Sequence, residues 1–390
     1  SVLEIYTSDS FPRFCFDAGV SLGNLGLKTE NWNVAIEGYS SALNAVDKNR
    51  EWTEDEGDRQ AVQSAAIKIY ENMIQASINA NLYDKALETV ERRKARNLVE
   101  LFASANVFPK GADEELKSRL VSLKGKISAI RQLLSQSKSN TLRQSVVRIE
   151  DLLHSNSSGY EEYLSKQRKQ LEECYQQLAD IQAEYQKKDS SFFLTQKVTP
   201  ISCKEIQLSL GAQTAILEWH IASDSFQVFI ITKQDLDVVE FDKSSLTSLV
   251  NWCEKYQNAL FNNIDGWKLS LSRELKVLSG ILRLEWLLDH PLLKSCNSLI
   301  IIAHRYLNLV PMHALPISSS SEGTSNTDYV QSRFPFGLSY APSCQFLQLI
   351  QKRNNRKFSQ ALTVVNPTKD LSYTALSVNA IRQKFKHQTL

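Results

Sequence analysis

The stretch 298–316, SLIIIAHRYLNLVPMHALP, decides how the rest of the chain is read. It opens as an unbroken apolar run from Leu299 to Ala303, the pattern of a strand covered on both faces. The run empties into His304-Arg305-Tyr306, and a second histidine, His313, follows Pro311 and Met312. The C-terminal end of a buried strand is where α/β folds place their sites. Two readings of the pair are open: an active site, or imidazoles that satisfy backbone groups in a tight loop. The crowding of the loop favours the second.

Working outward, the segments on either side are consistent with an α/β layer. Towards the C-terminus come a polar Ser-rich loop (318–328), FPFGLSYAPS (334–343), a helix near 343–354, a buried strand QALTVVN (360–366) and a terminal helix from about 373. Buried strands alternating with helices predict a mostly parallel sheet. Towards the N-terminus, TAILEWHI, FQVFIIT and LDVVEFD between 214 and 242 are short β-rich runs with polar turns, an antiparallel meander. Helical segments at 244–262 and 269–288 separate the meander from the deciding stretch.

The first 105 residues are helical in pattern. Ala35, Tyr39 and Ala42 share a face with Leu43 and Val46, and Leu22-Gly23 stands twelve residues before Ala35. A small residue where two helices touch, with an aromatic one turn later to fill the groove, resembles a tetratricopeptide repeat. A second helix pair follows, with Asp84 as its expected N-cap and Ala86 and Val90 repeating the small-then-large spacing. The basic run ERRKAR (91–96) reads as a solvated or inter-helix face. Residues 111–190 are rich in Lys, Gln, Glu and Ser. Leu164, Leu171, Leu178 and Tyr185 fall seven apart with Cys174 and Ile181 between them. Gln167 and Lys188 interrupt that seam, so an intramolecular antiparallel hairpin broken near HSNSSGY (154–160) is expected rather than a coiled-coil dimer.

Composition sets bounds. The chain has 390 residues, 42% of them hydrophobic and 23% charged, with a net charge of +2, which gives no overall reason to expect nucleic acid or a membrane surface. No apolar run is long enough to span a bilayer. Six cysteines at 15, 174, 203, 253, 296 and 344 have no regular spacing, as expected of reduced thiols in the cytoplasm. The nucleotide-binding glycine motifs, the hydrolase Gly-x-Ser-x-Gly and metal-binding His/Cys clusters are absent from the sequence, so no cofactor and no metal is expected. Cys344 would open a helix, whose dipole lowers a thiol pKa, and with His304 and His313 it forms a weaker candidate site. The chain begins at Ser1, and its last residues, NAIRQKFKHQTL, run on in a helical pattern, so a longer polypeptide is expected.

Several segments together resemble the CHAT domain, a caspase-like cysteine peptidase fold usually preceded by tetratricopeptide repeats. ALETVERRKARNLVELF is similar to the helix that links repeats to protease, and TAILEWHIASDSFQVFIITKQDLDVVEFD to the opening hairpins. Most specific are Ala303-His304-Arg305, Leu307-Asn308 and Pro311-Met312-His313-Ala314-Leu315, where the family commonly has Pro-His-Arg/Gly, Leu-His and Pro-Leu-His-Ala-Leu. The departures are Ala303 for proline and Asn308 for histidine. FGLSYAPSCQFL, with Tyr340, Pro342 and Ser343, matches the family's Ser-Tyr-Ala-Pro-Ser segment, and ALTVVNPTKDLSYTALSVNAI the strand and helix after it.

The resemblance implies an α + α/β architecture in three parts. Repeat-like helical hairpins occupy 1–105, a long helical hairpin 106–195, and the N-terminal part of a caspase-like domain 196–390. It also implies that His304, Arg305, Leu307, Pro311, His313, Tyr340, Pro342 and Ser343 shape the fold and are not catalytic. The family's dyad lies in a His-Gly and a Ser-Ala-Cys motif; neither occurs here, so catalytic residues are expected C-terminal to Leu390. The implied function is the sensor and scaffold part of a repeat-regulated peptidase, of the kind bacteria use in immunity and development. The alternative is a non-catalytic pseudoprotease that acts as an interaction module. Partners would be a protein on the helical repeats and the missing half of the protease domain. A sheet cut there would leave an exposed parallel edge, expected at QALTVVN.

Overall fold

Glycines set how the first two helices meet. In α1 (Pro12–Lys28) and α2 (Trp32–Lys48), a Cβ added to Gly38 would stand 2.3 Å from the Gly23 nitrogen and 2.6 Å from the Gly19 carbonyl oxygen. Only backbone fits at that crossing. The Tyr39 ring lies over Gly23, where a Cβ would come within 2.4 Å of it. Its hydroxyl donates to Asn24 (2.8 Å) and accepts from Asn72 (3.1 Å), which ties α2 to α3 (Glu56–Asn79). The chain then reverses at Asn81, in the left-handed region at φ 57°, into α4 (Tyr83–Ser104). Asp84 is not the cap expected of it. The Leu82 carbonyl accepts the first helical bond from Ala86 (3.0 Å), which places Asp84 inside the first turn with its carboxylate on the Lys85 amide.

The computed structural model describes residues 12–48, 56–104, most of 113–130 and 165–184, 201–317, 328–352, and short pieces at 360–363, 378–379 and 386–389. Two compact units are formed, 1–348 and 349–390. Helical residues of 114–130 (α5) and 165–184 (α6) bury Leu116, Leu120, Leu123 and Ile127 with Leu171, Cys174 and Ile181. The contact of Arg119, early in α5, with Glu184, late in α6, makes the pair antiparallel. Leu164, Tyr185, Lys188 and the break at 154–160 lie outside the described residues.

A five-stranded mixed sheet follows. Helix α7 (Cys203–Leu208) starts in a capping box: the Ser202 hydroxyl accepts from the Glu205 amide and the Glu205 carboxylate from the Ser202 amide. Strands β1 (Thr214–Ile221), β2 (Phe226–Ile231) and β3 (Leu236–Phe241) form the expected antiparallel meander. Asp242 caps α8 (Lys243–Asn262), and Asn263 caps α9 (Ile264–Ile281). The helical stretch read at 269–288 therefore starts earlier, and it breaks at Arg283, left-handed at φ 47°, before α10 (Leu284–Leu288). Strand β4 (Ser298–Ile302) pairs parallel to β1, so the meander and the later α/β segment are one sheet. A short antiparallel pair, β5 (Pro316–Ile317) with β6 (Asp328–Tyr329), precedes β7 (Leu338–Tyr340), which pairs parallel to β4. The strand order is β3-β2-β1-β4-β7, and α11 (Cys344–Lys352) leaves from β7.

Successive side chains of a strand point to opposite faces, and helices cover both faces here. Ala215, Leu217, Trp219 and Ile221 of β1 join Leu299 and Ile301 of β4 in a core closed by α8, α9 and α10. Ile216 of β1 and Ile302 of β4 face Ile74 and Ile78 of α3, Leu87 and Val90 of α4, and Cys344. Burying each large aliphatic or aromatic side chain contributes about 1.5–3 kcal/mol, which explains why β1 tolerates almost no exposure along its length. Among the described residues no helix is long and apolar enough to cross a membrane.

The C-terminal unit bears on two expectations. Residues 386–389, inside the expected terminal helix, form strand β9 (Lys386–Thr389), parallel to β8 (Gln360–Thr363). Pairing supplies both segments with backbone partners, which outweighs the helical periodicity of the run. Among the described residues the strand beyond β4 in the five-stranded order is β7, and the described part of QALTVVN, β8, pairs with β9.

Candidate functional site

The even-numbered residues of β1 point at the N-terminal helices, and two of them are both polar and buried: Glu218 and His220, at 0% and 1% exposure. The helix that meets them is α4, through the run ERRKAR. Helical spacing distributes its charges over three contacts. Glu91 and Lys94, three apart, face the sheet, whereas Arg92 and Arg96, four apart, reach back to Asp47 of α2. Arg93 turns to Glu71 of α3 (3.7 Å). The run is the inter-helix face the sequence suggested, and it is also the contact between helices and sheet.

At the centre of that contact the Lys94 ammonium meets Glu218 Oε1 at 2.5 Å. Glu218 Oε2 accepts from the Cys344 thiol (3.3 Å), and Glu91 Oε2 accepts from the Gln345 amide (2.8 Å) at the start of α11. Glu91 Oε1 is buried without a donor. Burial first, and then the charge of Glu218, push the Glu91 carboxyl up to about 8. Burial lowers Lys94, but Glu218 and Glu91 outweigh it and hold the ammonium above its ordinary value. Burial, with Glu91 and Glu218 beside it, raises the Cys344 thiol well above its ordinary value. Cys344 does open a helix, as the sequence indicated. Desolvation and two carboxyls nevertheless overwhelm the dipole, so it is a neutral hydrogen-bond donor and not a nucleophile.

A second group surrounds the exit of β4. Glu71 accepts from the Ser223 hydroxyl (2.7 Å) and lies 3.8 Å from Arg305, which holds the left-handed backbone at φ 51°. His304 Nδ1 accepts the Ile221 amide (2.9 Å), and its ring stacks on His220 at 5.4 Å between centroids. Burial, reinforced by Lys94, Arg93 and Arg305, lowers His304 to about 3, and His220 falls well below its ordinary value for the same first cause. His304 therefore serves a backbone group, the second of the two readings the sequence left open.

His313 has a different neighbour. The Tyr340 hydroxyl accepts the His313 amide (2.9 Å) and lies 2.9 Å from Nδ1. Both residues line a cleft of about 620 Å³ with Phe334, Leu338 and Gln331. Of the other motif residues, Leu307 is fully buried in the core beside β4. Pro311 precedes the short turn Met312–Ala314, and Ser343 accepts the Phe346 amide (3.1 Å) as α11 begins. Pro342 is exposed. His304, His313 and Cys344, grouped as a weaker candidate site, each bond to different partners and do not form a nucleophile and base.

The sequence reading missed Glu91, Lys94 and Glu218 as a group. The available signal was Glu218 itself, a carboxylate in the middle of an otherwise buried strand, which demands a partner. Glu91, Glu218 and Cys344 offer ligand atoms all within 4.8 Å of one another. A metal there would share Glu218 with the Lys94 ammonium and would have to displace the thiol proton. The arrangement chemically suits proton sharing and charge compensation better than catalysis. No protein-family model and no curated protein matches this chain.

Proposed function

We propose that this chain is the sensor and scaffold part of a repeat-regulated, caspase-like cysteine peptidase of the CHAT type, whose catalytic histidine and cysteine lie outside it. The motif segments at 303–315 and 336–347 support the family reading, and the Gly23–Tyr39 packing supports repeat-like hairpins. One observation carries the regulatory part. Helices α3 and α4 are wired by polar contacts to the β1–β2 turn, to the exit of β4 and, through a buried one, to the first turn of α11. A protein partner docking on the helical layer would act through these contacts on the sheet. The setting is the cytoplasm.

The test is to read the coding sequence past Leu390 and assay the complete polypeptide with a cysteine-directed active-site probe. A His-Gly and a Ser-Ala-Cys motif, with labelling lost when that cysteine is changed to alanine, are expected. A complete polypeptide with neither motif overturns the proposal. It would leave the second reading, a non-catalytic interaction module. That reading is favoured by one observation: His304 is committed to a backbone amide and Cys344 to Glu218.

A further inference from the structure

We infer that the helical layer is latched to the sheet by a single proton held between Glu91 and Glu218, so that the α4–β1–α11 junction loosens as that proton is lost. The inference goes beyond the peptidase reading and stands whether or not the complete polypeptide is an enzyme. Its basis is a count of charges in a closed space. Two carboxyls, 1% and 0% exposed, face one ammonium, Lys94. One ammonium balances one carboxylate. A second negative charge sealed in the same space would stand uncompensated, a state proteins avoid by taking up a proton.

The bonding agrees with that count. Glu218 accepts from Lys94 and Cys344, so it uses both oxygens as acceptors. Glu91 uses only Oε2, towards the Gln345 amide, and Oε1 has no donor. An oxygen that receives nothing is the place for a proton, and a carboxylate oxygen of Glu218 lies within 4.8 Å of one of Glu91 to share it. Glu91 is met by Glu218 of β1, by Lys94 of its own helix, and by Cys344 and the Gln345 amide of α11; His220 of β1 and His304 at the exit of β4 lie near Lys94, Arg93 and Arg305, and Glu71 of α3 holds Arg93 and Arg305. The nearest cation, Lys94, is already shared with Glu218, and Arg93 and Arg305 are engaged by Glu71.

The direction of the pH effect follows. Glu91 is raised in the folded chain from 4.5 to about 8. Between those values the folded state holds a proton that the unfolded state has released, so stability falls as pH rises. Its contribution is complete below 4.5 and gone above about 8. His220 and His304 are shifted the opposite way, so they act with opposite sign and only at acid pH. Cys344 is raised from 9.0 and adds nothing below that. The profile of a Glu91 variant subtracted from that of the unaltered chain isolates the latch.

The decisive variant is Glu91→Gln. A glutamine amide accepts from Gln345 and donates to Glu218 without a titrating proton, so it copies the protonated acid at every pH. The unaltered chain should lose melting temperature from about pH 6.5 to 8, above the range in which His220 and His304 oppose the loss. Glu91→Gln should not follow it, and at pH 8 it should melt higher. An amide-exchange experiment on the unaltered chain should show α4 and the start of α11 losing protection over the same window. The infrared band of a protonated buried carboxylic acid should be present at pH 6 and absent in the variant. A difference profile flat from pH 5 to 8 overturns the latch, and so does a variant that melts lower at pH 8. A stoichiometric divalent metal in the purified chain that Glu91→Gln loses would overturn it in favour of a metal site. If the variant does not fold, the infrared band and the amide exchange of the unaltered chain decide the matter alone.

Discussion

Two contacts of the same helical layer are held together in opposite ways. Where α1 crosses α2 the joint is steric: glycines 19, 23 and 38 let backbone touch backbone, and Tyr39 fills the remaining groove. Where α4 meets β1 and α11 the joint is electrostatic: Glu218 bonds Lys94 and Cys344, and Glu91 the Gln345 amide, away from water. A steric joint fails only when it is overfilled, and no solution condition adjusts it. A charged, buried joint has a stability that depends on protons. The contrast places the adjustable contact between helices and sheet, and the rigid one inside the helical layer.

The largest blow to the electrostatic joint is Lys94→Met. It keeps the stem and removes the cation, which leaves two carboxyls facing each other. A loss of about 3–5 kcal/mol at neutral pH is expected, the usual cost of stripping one partner from a buried pair, with much of it recovered on acidification as the carboxyls take up protons. Denaturant melts at two pH values measure both. A loss below about 1 kcal/mol, the scale of surface pairs, would mean that water reaches the cluster.

The steric joint is broken by Gly38→Ala. The new methyl would meet backbone atoms of α1 and could not be relieved by a rotamer change. A loss of about 1–3 kcal/mol is expected, insensitive to pH and to salt. Equal pH dependence in this variant and in Lys94→Met would erase the distinction between the joints.

A smaller effect concerns the acid side. His304 is neutral in the folded chain and lowered from 6.5 to about 3, so its contribution is present above 6.5 and is lost as pH falls towards 3. His304→Asn leaves an acceptor for the Ile221 amide with no proton to gain. It should remain folded at a lower pH than the unaltered chain, as followed by circular dichroism. The smallest expected change is a gain. Gly280 sits in α9 with open space around its missing Cβ, and Gly280→Ala should stabilise by about 0.5–1 kcal/mol through helix propensity alone.

Legibility in the sequence followed the same division. The steric joint was readable because its spacing, Gly23 to Ala35 to Tyr39 to Ala42, lies within one local hairpin. The buried runs at 214–241 and 298–302 were readable as strands for the same local reason. The charged joint combines residues 91, 94, 218 and 344, and no local pattern links them. ERRKAR carries the same letters whether its charges face water or a sheet. Residues 386–389 show the limit of periodicity, since a helical pattern gave way to strand pairing with 360–363.

By itself, then, the sequence determined which segments are apolar, with what period, and where glycine lets backbones touch. Those properties depend on neighbours a few positions away. Tertiary structure alone decided that the meander and the later strands are one sheet, that His304 serves a backbone amide, and that Cys344 is a buried donor. It also brought two carboxyls and one ammonium into a single dry space. The physical reason is that desolvation and charge compensation depend on what lies across the fold, and there the partner of Glu91 stands 127 residues away at Glu218.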